Sequence, residues 1–580
     1  MKLTRITDIY RLVTLIGVIS IAIGNTFIAH ALPTEHYAEH SVLSSGKWYK
    51  VSVTQSGIHE ISYSQLKDWG FSDPSRVHIY GYGGNLLPET YNTNDVDDLP
   101  QIPVVHNNNR ILFYAQGTVK WWYDKSDGRM KQRQNTYATA GYYFITENSD
   151  SAVATEAARL ATPDGTVIDI FDGYSLHEVE SASMSKTGQM FFGEDFRYTQ
   201  TQKFSFNIPG IDTHTPMLVE IAFGAKILGS TGLLKVYHNG SLISSGSNWQ
   251  IKANTDNTYE FMKYITPKTT VTPRGGTEDF SITFQSAGNV INARLDFIRL
   301  SYKRKLQLYN GSVKFRVHSM EYGNSLAVSG MNSKCIIWDI TKAHTPLHVE
   351  YTLSGEQALF SPAQHNREYI AFNPSATFPT PTGVGNINNQ DLHALEIPDM
   401  VILAPGAYLN QAQQVAALHE SVDSMKVHVI KHDLVFNEFS SGTPDGVAYR
   451  RLMKMFYDRS KANPSGRQVK YLLLFGRGLY DNRKISSDIQ TCDYPTLLTY
   501  QSPRSENETY SYTCDDFFTY LEDDADSRNA TNLMSIGVGR FPVKSSEEAN
   551  IVVEKLYNYV NKPHYGAWRN QAIIVADDGN

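Results

Sequence analysis

Four short apolar runs in the last third of the chain, Met400–Ala404, Lys426–Ile430, Lys470–Phe475 and Ala572–Ala576, constrain its fold more than any other feature. Each is too short for a helix and mostly apolar, the pattern of a strand buried on both faces. Amphipathic stretches lie between them. Gly446–Asn463 turns Leu452, Met453 and Phe456 inward and ends at Asn463-Pro464. Glu547–Asn561 lines up Ala549, Val552, Val553, Leu556 and Val560 on one stripe, with Ser545 and Ser546 as candidate caps. Strands alternating with helices predict an α/β domain with a mainly parallel sheet, covered by helices. Catalytic and ligand groups in such a domain stand at the carboxyl ends of strands, here the turns Phe475–Asp481 and Ala576–Asn580.

The whole chain, at 580 residues, is too long for one core and predicts three or four domains. The net charge of -7 is spread without a Lys/Arg-rich face, which argues against nucleic acid as a partner. Residues 1–31 have the form of a signal peptide: Lys2, Arg5 and Arg11, the apolar run Leu12–Ile23, then Ala29-His30-Ala31 as a small-x-small cleavage site. That run is shorter than the roughly 20 residues of a membrane span. Three cysteines, Cys335, Cys492 and Cys514, are few for an exported protein, so stability is expected from cores, with Cys492–Cys514 the one pairing considered.

Between leader and α/β domain the chain is rich in short strands. Residues 32–150 read as a β-rich module, with alternating residues from Trp48 to Val53, a Ser56-Gly57 turn, a short helix from Ser64 to Trp69, and strands at Val77–Tyr80, Arg110–Tyr114 and Gly141–Thr146. The cluster Gly81-Tyr-Gly-Gly-Asn85 lacks the order of a phosphate-binding loop and reads as a turn. Asp95, Asp97 and Asp98 read as a solvated loop, lacking the offsets of a calcium loop. Residues 151–305 predict a β-sandwich of jelly-roll-like type, with Asn239-Gly240 as a hairpin signal. Residues 306–395 add a further β-rich module, in which Cys335 is a core residue, and a Pro/Thr/Gly/Asn-rich linker at 373–389. On this division residues 32–375 should fold without the incomplete α/β domain at 396–580.

Several segments carry a resemblance. Val435–Arg450, Tyr471–Asp481, Asp515–Phe518 and Ile536–Val543 resemble the gingipain-like C25 cysteine peptidases. Ser45–Val51 and Ile337–Thr341 resemble the N-terminal region of one branch, the sortases of the type IX secretion system of Bacteroidetes. The resemblance implies a caspase-like α/β fold and an exported Cys/His peptidase at the outer membrane and cell surface. It also implies removal of C-terminal sorting domains from exported cargo proteins, transfer of the new terminus to anionic lipopolysaccharide, and an anchoring partner in the outer membrane. Such chemistry needs a thiolate, a proton-shuttling His, an acid to orient it and oxyanion donors, and no cofactor. By position in the family pattern Asp578 matches the orienting acid, where gingipains carry Glu. The family's His and Cys would fall past Asn580, so the 580-residue chain is expected to be inactive.

Other readings compete. Cys492 and Cys514 precede Asp493 and Asp515-Asp516, carboxylates that would raise a thiol pKa, so an internal dyad with His419, His428 or His432 is disfavoured. Arg477 and Asp481 are expected to pair across their turn. Among Glu522, Asp523, Asp524 and Asp526, the last three are weak calcium candidates in what reads first as a solvated loop. The alternative function is a non-enzymatic surface scaffold or binding protein built from the β-modules.

Overall fold

The computed structural model describes residues 33–149, 152–254, 259–318, 320–525, 532–561 and 566–574. The leader at 1–31, Asp526 and Asp578 lie outside the described residues. Among the described residues no helix is long and apolar enough to cross a membrane.

The first module packs two sheets. One orders Thr382–Ile387, Trp48–Val53, Gly141–Glu147, Val77–Tyr80 and Gln101–Ile102; the other joins Gly57–Ser62, Arg110–Ala115 and Val105–His106. Alternation delivers Val51, Ile61, Phe113 and Ile145 to the shared core. The first sheet corrects the linker reading of 373–389. Thr382–Ile387 pairs antiparallel with Trp48–Val53, so a Gly- and Thr-rich segment with few apolar residues is an edge strand.

Residues 170–305 form the expected sandwich. In Thr201–Ile208 every second residue, Phe204, Phe206 and Ile208, points into a core shared with Phe223, Trp249 and Phe280. Asn239 and Gly240 have φ of 47° and 84°, the two left-handed positions of a type I′ turn, closing the hairpin between Gly232–His238 and Ser241–Leu242. A second pair of sheets surrounds Phe315, Val328, Ile337 and Phe360, and Cys335 sits in that core as expected.

The α/β part has strands β1 (Met400–Ala404), β2 (Val427–Lys431), β3 (Tyr471–Phe475) and β4 (Gly537–Phe541), all parallel in the order β2-β1-β3-β4. Its helices are α1 (Leu409–Asp423), α2 (His432–Phe439), α3 (Gly446–Ala462) and α4 (Ser546–Asn561). Ile402 and Leu473 face α1 and α4 through Val415, Ala416, Ala549 and Val553. Val401, Leu403, Leu472 and Leu474 face α2 and α3 through Val435, Leu452 and Phe456. Successive residues thus feed opposite faces of a three-layer sandwich, which is why β1 and β3 read as unbroken apolar runs.

The fourth strand differs from expectation. Gly537-Val-Gly-Arg-Phe541 lies at the sheet edge with both glycines exposed, so it has no apolar run to find. The described residues of the predicted fourth run are not in a strand, and Ile573 and Ile574 are each 87% exposed.

Candidate active-site scaffold

The carboxyl ends of β3 and β4 are held by one side chain. Arg540, on β4, makes a two-pronged bond to Asp515, with Nε to Oδ2 and Nη2 to Oδ1 both at 2.7 Å. The same guanidinium donates to the carbonyls of Gly476 at 2.9 Å and Leu498 at 3.0 Å. The planar fork of arginine suits this four-way role and a lysine would not reproduce it. Beyond β3 the turn is sewn to residues 497–499. Leu497 N–H donates to the Arg477 carbonyl, Thr499 Oγ1 to the Leu479 carbonyl, and the Asn482 amide bridges both backbone groups of Thr499. Gly478 is required there, because a Cβ would run into Thr499 Cγ2.

Asp481 is fully buried and caps its own turn, accepting from Arg483 N–H at 3.2 Å and Ser486 N–H at 2.7 Å. The expected pairing with Arg477 is absent: Arg477 is exposed, and a buried carboxylate is satisfied more cheaply by local backbone donors.

The cysteines do not meet. All three are free, which corrects the Cys492–Cys514 pairing. Cys514 pairs in register with Tyr500, and burial, then Asp516 and Asp515, push its thiol up. Burial likewise pushes up Cys335. His419 bonds Asp423 at 2.7 Å, His428 bonds the Glu396 carbonyl at 2.8 Å, and His432 bonds the Tyr449 hydroxyl at 2.8 Å. Burial lowers His432 to about 4. None of these partners is a thiol.

Two acidic patches are used structurally. Asp97 accepts from Ala38 N–H at 2.8 Å, Asp98 from Val42 N–H at 2.7 Å, and Arg451 reaches Asp95 at 3.4 Å, so the solvated-loop reading of 95–98 does not hold. Glu522 accepts from the Tyr457 hydroxyl at 2.5 Å, and Asp523 pairs with Lys454. Among the described residues no group of three or more His, Cys, Asp or Glu is placed to hold a metal ion.

Sequence reasoning missed the dock between the first module and α2. Ser441 Oγ accepts from the N–H groups of Tyr82 at 2.9 Å and Gly83 at 3.3 Å and donates to the Tyr142 carbonyl at 2.9 Å. Thr443 Oγ1 donates to the Gly83 carbonyl at 3.0 Å, and Asp445 accepts from Leu87 N–H at 3.0 Å. The Gly81–Asn85 turn, whose glycines pointed to a tight bend, is thus seated on the segment Phe439–Asp445 that carried the family resemblance.

Residues 393–580 match the sequence model described as Peptidase family C25. With this match and the likeness along the rest of the chain, the protein resembles the gingipain-like C25 proteins. The particular relative is dimeric latent PorU from Porphyromonas gingivalis, to which the chain is similar at 30% identity with a TM-score of 0.82 over 92% of its own length and 51% of that chain. It therefore spans about half the length of that protein. A family 35 carbohydrate binding module from an environmental isolate is matched at 15% identity over 27% of this chain and 93% of that one, with a TM-score of 0.13. A β-porphyranase of glycoside hydrolase family 86 from the human gut bacterium Bacteroides plebeius is matched at 11% identity over 45% and 35%, with a TM-score of 0.16. Neither score carries an argument. No curated protein matches the chain.

Proposed function

We propose that this chain serves in a type IX secretion sortase: a cysteine peptidase that removes C-terminal sorting domains from exported cargo and passes the new carboxyl terminus to anionic lipopolysaccharide at the cell surface. The observation that supports this reading is the likeness to PorU along 92% of the chain, β-modules included, rather than over the peptidase segment alone. The β3 and β4 carboxyl ends, fixed by Arg540, Asp481 and Asn482, would form the rigid floor on which a thiolate and its proton shuttle are held for acyl transfer. His419, His428 and His432 are bonded to partners other than a thiol, so the 580-residue chain by itself is proposed not to turn over peptides.

The test uses the protein expressed from its own gene with a reporter cargo that ends in a sorting domain. Iodoacetamide-sensitive release of that domain is expected, with the cargo's new carboxyl terminus joined to lipopolysaccharide. Release that survives thiol alkylation would sink the peptidase reading, and release as a free acid alone would sink the transfer. For the 580-residue chain, cargo peptides and a thiol-reactive probe should give no turnover, and cleavage lost in Cys492→Ala or Cys514→Ala would revive an internal nucleophile.

A further inference from the structure

Three parts of the chain meet around a cleft of about 540 Å³: the first module through Gln132 and Thr136, the sandwich through Glu178, Phe191 and Asp296, and the α/β part through Pro503. Glu178 ends the strand Ile170–Glu178 directly across from Phe297, which brings Asp296 beside it on the cleft wall. Asp296 is 9% exposed; the Tyr264 hydroxyl donates to its Oδ2 at 2.5 Å, leaving Oδ1 for the cleft. Glu178 Oε2 and Thr136 Oγ1 are buried and have no hydrogen-bond partner. Orphaned polar atoms around a ligand-sized cavity call for a partner.

The sign of that partner follows from the charges. Glu180 is matched by Arg483, Arg133 stands against Glu89 at 3.6 Å, and Arg299 is spent on Glu220. Among the described residues neither Glu178 nor Asp296 forms an ion pair, and Arg483 and Arg299 act on them only as more distant charges. Burial first, then Glu180 and Asp296, push Glu178 up to about 8, and burial first, with Glu180 adding to it, pushes Asp296 up to about 7. No metal-holding group of His, Cys, Asp or Glu occurs among the described residues, whereas Met190, Phe191 and Phe297 offer apolar walls to an aliphatic stem.

We propose that this cleft binds a guanidinium or ammonium group carried on an aliphatic stem, the side chain of an arginine or lysine, with Glu178 and Asp296 as its counter-ions. The source of that group is either a peptide segment or a free amine. The inference is independent of the peptidase reading. Entry of the cation draws a proton off Glu178, so affinity rises between pH 6.5 and 8.5, approaching tenfold per pH unit for one proton released. Glu89, Glu180, Arg133, Arg299, Arg483 and Tyr264 are the charged and titratable groups around the two carboxylates, and burial first, then Asp296, holds the Tyr264 hydroxyl well above its usual range.

Calorimetric titration of the 580-residue chain tests this with acetyl-Ala-Arg-Ala-amide, its citrulline counterpart, agmatine and calcium chloride. The arginine peptide should bind at least tenfold more tightly than the citrulline peptide. Agmatine binding as well as the peptide identifies a free amine as sufficient; binding of the peptide alone identifies a peptide ligand. The double variant Glu178→Gln, Asp296→Asn should lose at least tenfold in affinity. Should it fail to fold, Thr136→Trp, which leaves both carboxylates in place and fills the cleft, should block binding equally. Equal affinity for citrulline, undiminished binding by these variants, no heat with any cation at millimolar concentration, or calcium binding in place of arginine would each overturn the proposal.

Discussion

His393 is fully buried between two carboxylates, with Nδ1 2.6 Å from Glu438 and Nε2 3.1 Å from Asp97, and its ring is stacked on Phe439. Burial alone would lower its pKa, but hydrogen bonds and charge from Asp97 and Glu438 outweigh it and raise it to about 10. The folded value exceeds the unfolded value of about 6.5, so the stabilisation is fully present below pH 6.5 and is lost as pH rises through 10. His393→Ala leaves two carboxylates facing a void and should cost about 3–5 kcal/mol at pH 6. Urea unfolding at pH 6 and pH 10 checks this; an equal penalty at both would contradict a charged imidazole. Ser441 has φ of 54° and is fully buried. Ser441→Ala strips the Tyr82 and Gly83 N–H groups of their acceptor and keeps the strained backbone, for a loss of about 1–3 kcal/mol. Ser441→Gly should lose less, because glycine tolerates that φ. Denaturant midpoints rank the two, and the reverse order would show that the positive φ stores no strain for glycine to relieve.

The elements most plainly written in the sequence were those with a single demand on every residue. Strands β1 and β3 are buried on both faces and read as apolar runs; α3 begins at a capping Asp445 that accepts from Val447 N–H and ends near Asn463-Pro464. Edge elements answer weaker demands and were lost. β4 spends two of five positions on glycine, and Thr382–Ile387 has the composition of a loop. The floor of the candidate site was half legible. The family segments spanned Asp481 and Arg540 without singling out Arg540, whose bonds to Asp515 and Leu498 join loops 25 and 42 residues away that no local spacing encodes. The same element decides where the chain can be cut. A product ending at residue 375 removes the partner of Trp48–Val53 and exposes a long edge beside Tyr49 and Val51. Residues 33–375 should therefore aggregate or melt without cooperativity, whereas adding residues 376–390 should restore the edge and reduce aggregation in light scattering. A soluble, cooperative 33–375 would mean that the strand is dispensable.

At the scale of the whole molecule α3 is the keystone, because its inner face packs on the sheet while its polar residues gather segments from distant parts of the chain. Arg450, fully buried, donates to the carbonyls of Glu89, Tyr520 and Ala525 and lies over the ring of Tyr91 at 4.5 Å. Arg451 reaches the Val96 carbonyl at 3.1 Å, and Arg459 reaches the carbonyls of His393 at 2.7 Å and Ala38 at 2.9 Å. Tyr37 donates to Asp458 at 2.5 Å, and Asp458 in turn holds Lys454 at 2.7 Å. Backbone carbonyls from the first module and from residues 520–525 thus depend on one helix, and the first module should unfold together with the α/β part. Arg450→Met keeps much of the side-chain volume and leaves three carbonyls without this donor, the buried one of Ala525 at about 1–3 kcal/mol and the part-buried ones of Glu89 and Tyr520 at less. Scanning calorimetry should show the first module and α/β part melting as one unit in the parent and uncoupled, with the earlier transition shifted down, in the variant. Limited proteolysis should then open the 86–98 segment first. An Arg450→Met protein that kept the parent's transition and cleavage pattern would show that the contacts of Ser441, Arg451, Arg459 and Asp458 suffice to hold the first module to the α/β part.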